Sequence, residues 1–252
     1  MKVGIVLSGG GARGIAHIGV LKALQEIGVS IHCIAGTSVG AIIGAMYANG
    51  YSPDEILEII LKAPITRSMR PAWTWRGLLS LDGLKSLLLA HLPHNSFESL
   101  RLPLTVAATE IRMGKSAYFS SGELIPALQA SCCVPAVFSP VTVNGGIYVD
   151  GGIMDNLPAA AIRNQCDFLI GSHCNFISAE FDPTNFRTVI ERSLLMAING
   201  NTTVSKSLLD VLIEPPETGV MSTFELNKAR HLFSIGYEYT RQNFSKIDFP
   251  TV

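Results

Sequence analysis

Val3-Gly4-Ile5-Val6-Leu7-Ser8-Gly9-Gly10-Gly11-Ala12-Arg13-Gly14 opens the chain as an apolar run of strand length that stops at three glycines. So short an unbroken apolar run predicts a strand buried on both faces, Val3–Leu7. From residue 15 the period changes. Ile18, Leu21, Leu24 and Ile27 recur at helical spacing, and Gly28 supplies a C-terminal cap for a helix over 15–27. A second strand over 31–35 and a helix over 39–48 follow. Ser52-Pro53-Asp54-Glu55 then combines a serine cap, a proline at the first helical position and a glutamate three residues on, which starts a further helix. Strand, helix, strand, helix is the pattern of a βαβ unit. It predicts an α/β fold, with a mostly parallel central sheet covered on both faces.

Working outward, the pattern predicts a helix over 84–92 and strands over 103–109 and 116–120, paired as a hairpin around Met113-Gly114-Lys115. A short helix over 124–131, stopped ahead of Pro135, and a strand over 146–149 leading into Asp150-Gly151-Gly152 come next. Strands over 167–172 and 208–214 follow. Ser222-Thr223-Phe224-Glu225 is a second capping box, which predicts a final helix running to about 244. No repeat, linker or low-complexity tract interrupts the 252 residues, so a single domain over 1–252 is expected.

Composition narrows the function classes. Lys plus Arg number 19 and Asp plus Glu 20, a net charge of −1, which argues against a nucleic-acid binder and an acidic disordered tail. Hydrophobic residues make up 48% and charged residues 15%, so the chain can bury a large core. Residues 31–52 and 124–144 carry no Asp, Glu, Lys or Arg, but glycines break the first stretch and Pro126, Pro135 and Pro140 the second, so neither reads as a transmembrane span. The apolar run at the N-terminus is too short for a secretory leader. The 5 cysteines form no CxxC pair, and the adjacent Cys132 and Cys133 suit neither a disulfide framework nor a zinc site. Reduced thiols in a cytoplasmic protein, with no metal and no cofactor, are expected.

Gly9-Gly10-Gly11-Ala12-Arg13-Gly14 fits G-x-G-x-x-G between a strand and a helix, the context of a dinucleotide-binding turn. That reading needs an acidic residue roughly 20 positions on, and none lies between Glu26 and Asp54. A P-loop lysine is also missing. What remains is a set of backbone N–H groups at the positive end of a helix, able to hold a phosphate or a developing oxyanion; the bland alternative is a tight turn. Gly36-Thr37-Ser38-Val39-Gly40 is G-x-S-x-G between a predicted strand and a predicted helix, the setting of a nucleophile elbow that lifts a serine hydroxyl out of the chain. A serine needs a base. Asp150, at a strand end and followed by two glycines, is presented for that role unless it is an ordinary Asp-Gly turn. His173 competes, because Ser38…Asp150…His173 is the α/β-hydrolase order. His17, among apolar helix neighbours, reads as a packing residue.

Together the segments resemble the patatin-like phospholipase family, whose motifs are a G-G-G-x-[RK]-G loop, a G-x-S-x-G elbow and a D-G-[GA] turn. Here they are Gly9 to Gly14, Gly36 to Gly40 and Asp150-Gly151-Gly152. Ala130-Ser131-Cys132-Cys133-Val134-Pro135-Ala136-Val137-Phe138 also resembles the family's A-S-x-x-x-P-x-x-F segment. The resemblance implies a three-layer α/β/α sandwich of the compact bacterial type. It implies a Ser–Asp dyad without histidine: Ser38 as nucleophile, Asp150 as base, Gly10 and Gly11 as oxyanion donors and Gly9 shaping their loop. Arg13, Gly14, Gly36, Gly40, Gly151 and Gly152 support the motifs. The implied reaction is hydrolysis of carboxylic esters of lipids, phospholipid or lysophospholipid, through an acyl-enzyme, with neither metal nor cofactor. Two alternatives stand beside it: a catalytically idle patatin fold serving as a protein-interaction module, and a triad esterase using His173. Trp73 and Trp75 interleaved with Arg67, Arg70 and Arg76, followed by leucines to 92, suit an acyl pocket and peripheral contact with the inner face of a membrane.

Overall fold

The computed structural model describes residues 1–63, 81–135, 137–181, 183, 185–223, 225–245, 248 and 249, apart from the Arg187 side chain. The elements are β1 (Val3–Leu7), α1 (Ala16–Ile27), β2 (Ile31–Thr37), α2 (Val39–Asn49), α3 (Pro53–Lys62), α4 (Asp82–His91), β3 (Leu104–Glu110), β4 (Lys115–Phe119), α5 (Leu124–Ser131), β5 (Val141–Val143), β6 (Gly146–Asp150), β7 (Phe168–Ser172), α6 (Phe186–Gly200), α7 (Thr202–Ser207), β8 (Val211–Ile213) and α8 (Ala229–Asn243).

Among the described residues one 8-stranded sheet runs β5-β6-β3-β2-β1-β7-β8, with β4 also on β3. β3, β2, β1, β7 and β8 are parallel, as the apolar strands predict, while β4, β6 and β5 pair antiparallel. The sheet is therefore mixed: parallel at its centre and towards β8, antiparallel towards β5. Period-2 alternation divides β1 between two layers. Val3, Ile5 and Leu7 join the main core with α1, α2, α3, α5 and α8. Val6 faces a smaller cluster with Cys33, Ala35, Leu157, Ala159, Ile162 and Leu169. Both faces of the sheet are covered, and the fold is an α/β/α sandwich.

The helices start where local chemistry specifies. The Ser52 side chain accepts from the Glu55 N–H at 3.3 Å and Glu55 answers the Ser52 N–H at 2.8 Å, completing the predicted capping box of α3. Gly28 caps α1 in the left-handed region. α1 and α8 cross at Gly19 and Gly236, where an added Cβ would strike the Phe233 and Ala16 carbonyls respectively. The final helix corrects the sequence expectation. Ser222 N–H does reach the Glu225 carboxylate at 3.3 Å, yet α8 begins only at Ala229. Tertiary bonds claim the preceding segment: Met221 O accepts from Arg13 and Thr223 O from the Ala12 N–H. α6 and α7 lie outside the sequence expectation. α6 starts at Asn185, whose side chain accepts from the Thr188 N–H, but it leaves Phe186, Val189, Ile190 and Leu194 exposed. Among the described residues no helix is long and apolar enough to cross a membrane.

Candidate active site

The sheet register assembles the site. Leu7 lies level with Gly36 across β1 and β2, so the glycine loop and the elbow leave the sheet side by side. Thr37 lies level with Ala107 on β3, and the next β3 residue, Ala108, lies level with Asp150 on β6. Ser38 and Asp150 therefore meet over the middle of β3, at Ala107 and Ala108. Because β6 runs antiparallel, its C-terminal residue projects at the edge where the parallel strands begin to leave the sheet.

Ser38 is the hinge between β2 and α2. Its φ of 53° and ψ of −126° lie outside the ordinary regions for a side-chain-bearing residue, a strain of about 1–3 kcal/mol. Its surroundings hold it there. The Ser38 N–H donates to Ser131 Oγ at 2.8 Å, and Ser131 Oγ donates in turn to Ala107 O at 2.6 Å. The Ser38 carbonyl takes the Ala41 and Ile42 N–H groups, starting α2. Gly40 lets α2 press against β1, since a Cβ there would strike the Leu7 carbonyl. Gly36 and Gly14 are constrained alike, by Ala41 N at 2.7 Å and by the Val39 side chain.

Asp150 is 8% exposed. Burial pushes its carboxyl up from the ordinary 3.8 to about 6, against hydrogen bonds from the Ser38 side chain and the Gly152 N–H that pull it down. The Gly152 bond is 2.8 Å long. Its backbone is fixed by Asp150 N–H to Cys133 O at 2.8 Å and by Thr109 Oγ1 to Asp150 O at 2.9 Å. Gly151 turns tightly against the Ala107 carbonyl. The Cys132 thiol shares this space with Ser38 and Asp150, and burial raises its pKa well above normal.

Gly10 and Gly11 stand at the head of a short 3-10 turn, Gly11–Ile15, where the first N–H groups have no acceptor within the turn. The next one, Ala12 N–H, is taken by Thr223 O at 2.7 Å. Gly11 has φ 57°, and a Cβ on it would meet that same Thr223 carbonyl. Arg13, whose role the sequence left open, is buried and donates from Nε to Met221 O at 2.7 Å, which fastens the 216–223 segment over the loop.

The two histidines part company. His17 bridges Ser172 Oγ at 2.7 Å and Ser8 O at 2.9 Å, and burial drops its pKa to about 4, so it is a neutral strut under the glycine loop. His173 follows β7, which β1 separates from β2. Its Nδ1 meets Glu214 Oε1 at 2.5 Å, and that carboxylate also holds Lys206 Nζ at 2.7 Å. His173 thus lies across β1 from Ser38, while Asp150 lies on the other side. Sequence reading missed Ser131 as the elbow's support and missed Asn156, Asn175, Asn199 and Asn201 around the loop. The tryptophans and arginines of the expected acyl pocket lie outside the described residues; α3 and α4 form a concavity lined by Tyr51, Ile59, Leu87 and His91.

Residues 5–162 match the model of a family described as patatin-like phospholipase. An uncharacterized NTE family protein of Mycobacterium tuberculosis is 38% identical over 164 residues, 64% of this chain and 45% of that protein. A lysophospholipase NTE1 of Yarrowia lipolytica is 33% identical over 173 residues, 65% of this chain and 12% of that protein. The chain thus spans less than half the length of these curated relatives. The crystal structure of VipD from Legionella pneumophila superposes with a TM-score of 0.62 at 16% identity, covering 96% of this chain and 66% of that one, which is a likeness of fold.

Proposed function

The chain belongs to the patatin-like phospholipase family, and from that premise we propose that it hydrolyses carboxylic esters of lipids through an acyl-enzyme on Ser38, with Asp150 as base. The observation that carries this reading is the sheet register that brings the buried Asp150 carboxylate level with the elbow across β3, close enough for the Ser38 side chain to lower its pKa. Desolvation supports the base role. A carboxylate at its ordinary pKa is a feeble base, and one raised to about 6 is stronger while still ionised at neutral pH.

Ser38 Oγ attacks the ester carbonyl carbon as its proton passes to Asp150. The oxygen that gains the electron pair lies against the Gly10 and Gly11 N–H groups, each such donor being worth about 3–4 kcal/mol in the transition state. Collapse expels the alcohol, which leaves with the proton from Asp150. Water then attacks the acyl-enzyme and gives its proton to Asp150; Ser38 recovers a proton as the fatty acid departs. The positions of His173 and its partner Glu214 favour this dyad over a triad. The intact elbow, glycine loop and Asp150 weigh against an idle interaction module.

The relative named as a lysophospholipase makes lysophospholipid the first natural substrate to assay. Exposed Ile153 and Met154, beside Gly152, and the exposed apolar face of α6 support access from a lipid surface; vesicle flotation checks it. Labelling with a fluorophosphonate and turnover of p-nitrophenyl esters test the chemistry. Ser38→Ala should lose both, and a purified variant that still turns over substrate would overturn the proposal.

A further inference from the structure

We infer that Asn175 and Asn156 are positioning residues that aim the Gly10 N–H at the reacting carbonyl oxygen, an inference that rests on the acyl-hydrolase reading above. Among the described residues no peptide bond is cis, so the C=O of Gly9 and the N–H of Gly10 share one plane and point in opposite directions. Whatever fixes the Gly9 carbonyl therefore fixes the direction of the Gly10 donor. Asn175 Nδ2 donates to Gly9 O at 2.6 Å, Asn156 Nδ2 at 3.4 Å and the Cys174 thiol at 3.5 Å. The Gly9 N–H donates to Asn156 O at 3.2 Å, so Gly9 is held at both of its backbone polar groups.

The two amides are themselves fixed. Asn175 is 1% exposed and Asn156 2%, so either amide would leave polar atoms buried and unpaired by swinging away. Asn199 Nδ2 donates to Asn175 O at 2.7 Å. Asn201 Oδ1 accepts from the Asn156 N–H at 3.0 Å, while its Nδ2 donates to Gly152 O at 2.9 Å and Ile153 O at 3.1 Å. The asparagine that steadies Asn156 thus also holds the turn that presents Asp150, so donor and base are set from one frame. Amides suit this task because they stay neutral at every working pH and place no fixed charge beside a developing oxyanion. The arrangement also gives Gly9, which has no donor role, a reason to be glycine: a Cβ there would meet Asn156 Oδ1 at 2.6 Å.

The test uses the full chain, p-nitrophenyl butyrate as substrate and an alkyl trifluoromethyl ketone as a probe that forms a tetrahedral adduct on serine. Asn175→Ala should lower kcat by about 10–100-fold, leave KM within about twofold and weaken the ketone by the same factor as kcat, since a misaimed donor is missed only by the tetrahedral state. Asn175→Asp keeps the shape but replaces the N–H donor by a carboxylate oxygen, and should lose at least as much. Thermal melting establishes that each variant is folded. A folded Asn175→Ala with wild-type kcat, or one that loses kcat while binding the ketone normally, overturns the inference. Failure of both variants to fold would also overturn it, by assigning Asn175 to the fold alone. Ser38→Ala separates the premise: if that variant is active, the acyl-hydrolase reading falls, whatever Asn175 does.

Discussion

Replacing Asp150 by asparagine should abolish turnover and stabilise the protein, and the two effects have one cause. The carboxyl titrates at about 6 in the folded chain against an ordinary 3.8. The shift is about 2 units, and at about 1.4 kcal/mol per unit the ionised form costs about 3 kcal/mol relative to the unfolded chain. The sign follows from the direction. A raised folded pKa means the native state binds the proton more tightly, so this contribution favours the fold below about pH 4 and is lost as pH rises through about 6. The amide in Asp150→Asn is neutral throughout, and its Oδ1 still accepts from Gly152 and Ser38. At pH 8 the variant should therefore melt higher by up to about 6–12 °C, at roughly 2–4 °C per kcal/mol for a chain of this size. The advantage should shrink towards zero near pH 4. Calorimetry across pH 4–8 reads the stability, and p-nitrophenyl ester turnover reads the activity. In the wild type, kcat/KM should climb through an acid limb near pH 6, where Asp150 becomes a base. An Asp150→Asn protein that melts lower at pH 8, or a wild-type rate profile flat from pH 5 to 8, would refute the desolvated-base argument.

Gly11→Ala should reduce kcat by on the order of 100-fold with a smaller change in KM, because the left-handed backbone and the Thr223 carbonyl leave no room for a Cβ without moving the donor; a change confined to KM would make the loop a ground-state binding site instead. His173→Ala should keep activity within about threefold while costing about 1–3 kcal/mol in chemical denaturation, since it empties a buried site whose partner Glu214 keeps Lys206; a folded but inactive variant would restore the triad. Ser131→Ala should cost about 1–3 kcal/mol, because it strands the buried Ser38 N–H, and should lower kcat in the same preparation.

The parts of this molecule legible in the sequence are those whose requirements are local. Gly36 is needed because a Cβ there would meet the Ala41 backbone five residues on, so that half of the motif records its own structure, whereas Gly40 answers to the Leu7 carbonyl on β1. The capping box before α3 is likewise complete within four residues. Requirements that arise between distant segments left no such trace. Nothing in the spacing of Asp150 and Ser38 reveals that β6 inserts antiparallel beside β3 and brings them level. The capping signal at Ser222 was real but outweighed, because the Met221 and Thr223 carbonyls close the glycine loop 208 and more residues away in sequence. The four asparagines looked like ordinary polar loop residues; only the convergence of Asn156 and Asn175 on Gly9 and of Asn201 on Gly152, with Asn199 holding Asn175, distinguishes them.

The strained serine and the desolvated carboxylate are one coupled arrangement rather than two separate costs. The Ser38 side chain contributes a hydrogen bond that lowers the Asp150 pKa, and it does so only while the elbow keeps its positive φ. Ser131 holds that conformation, since it takes the Ser38 N–H and anchors to Ala107 on the strand lying between serine and aspartate. Loosening the elbow should therefore act on the base as well as on the nucleophile. In Ser131→Ala the carboxylate loses part of its hydrogen bonding while staying buried, so its pKa should rise further and the acid limb of kcat/KM should move to higher pH. A Ser131→Ala enzyme that is slower but keeps the wild-type limb would show that Ser38 and Asp150 titrate independently, and would separate the strain at the elbow from the chemistry it serves.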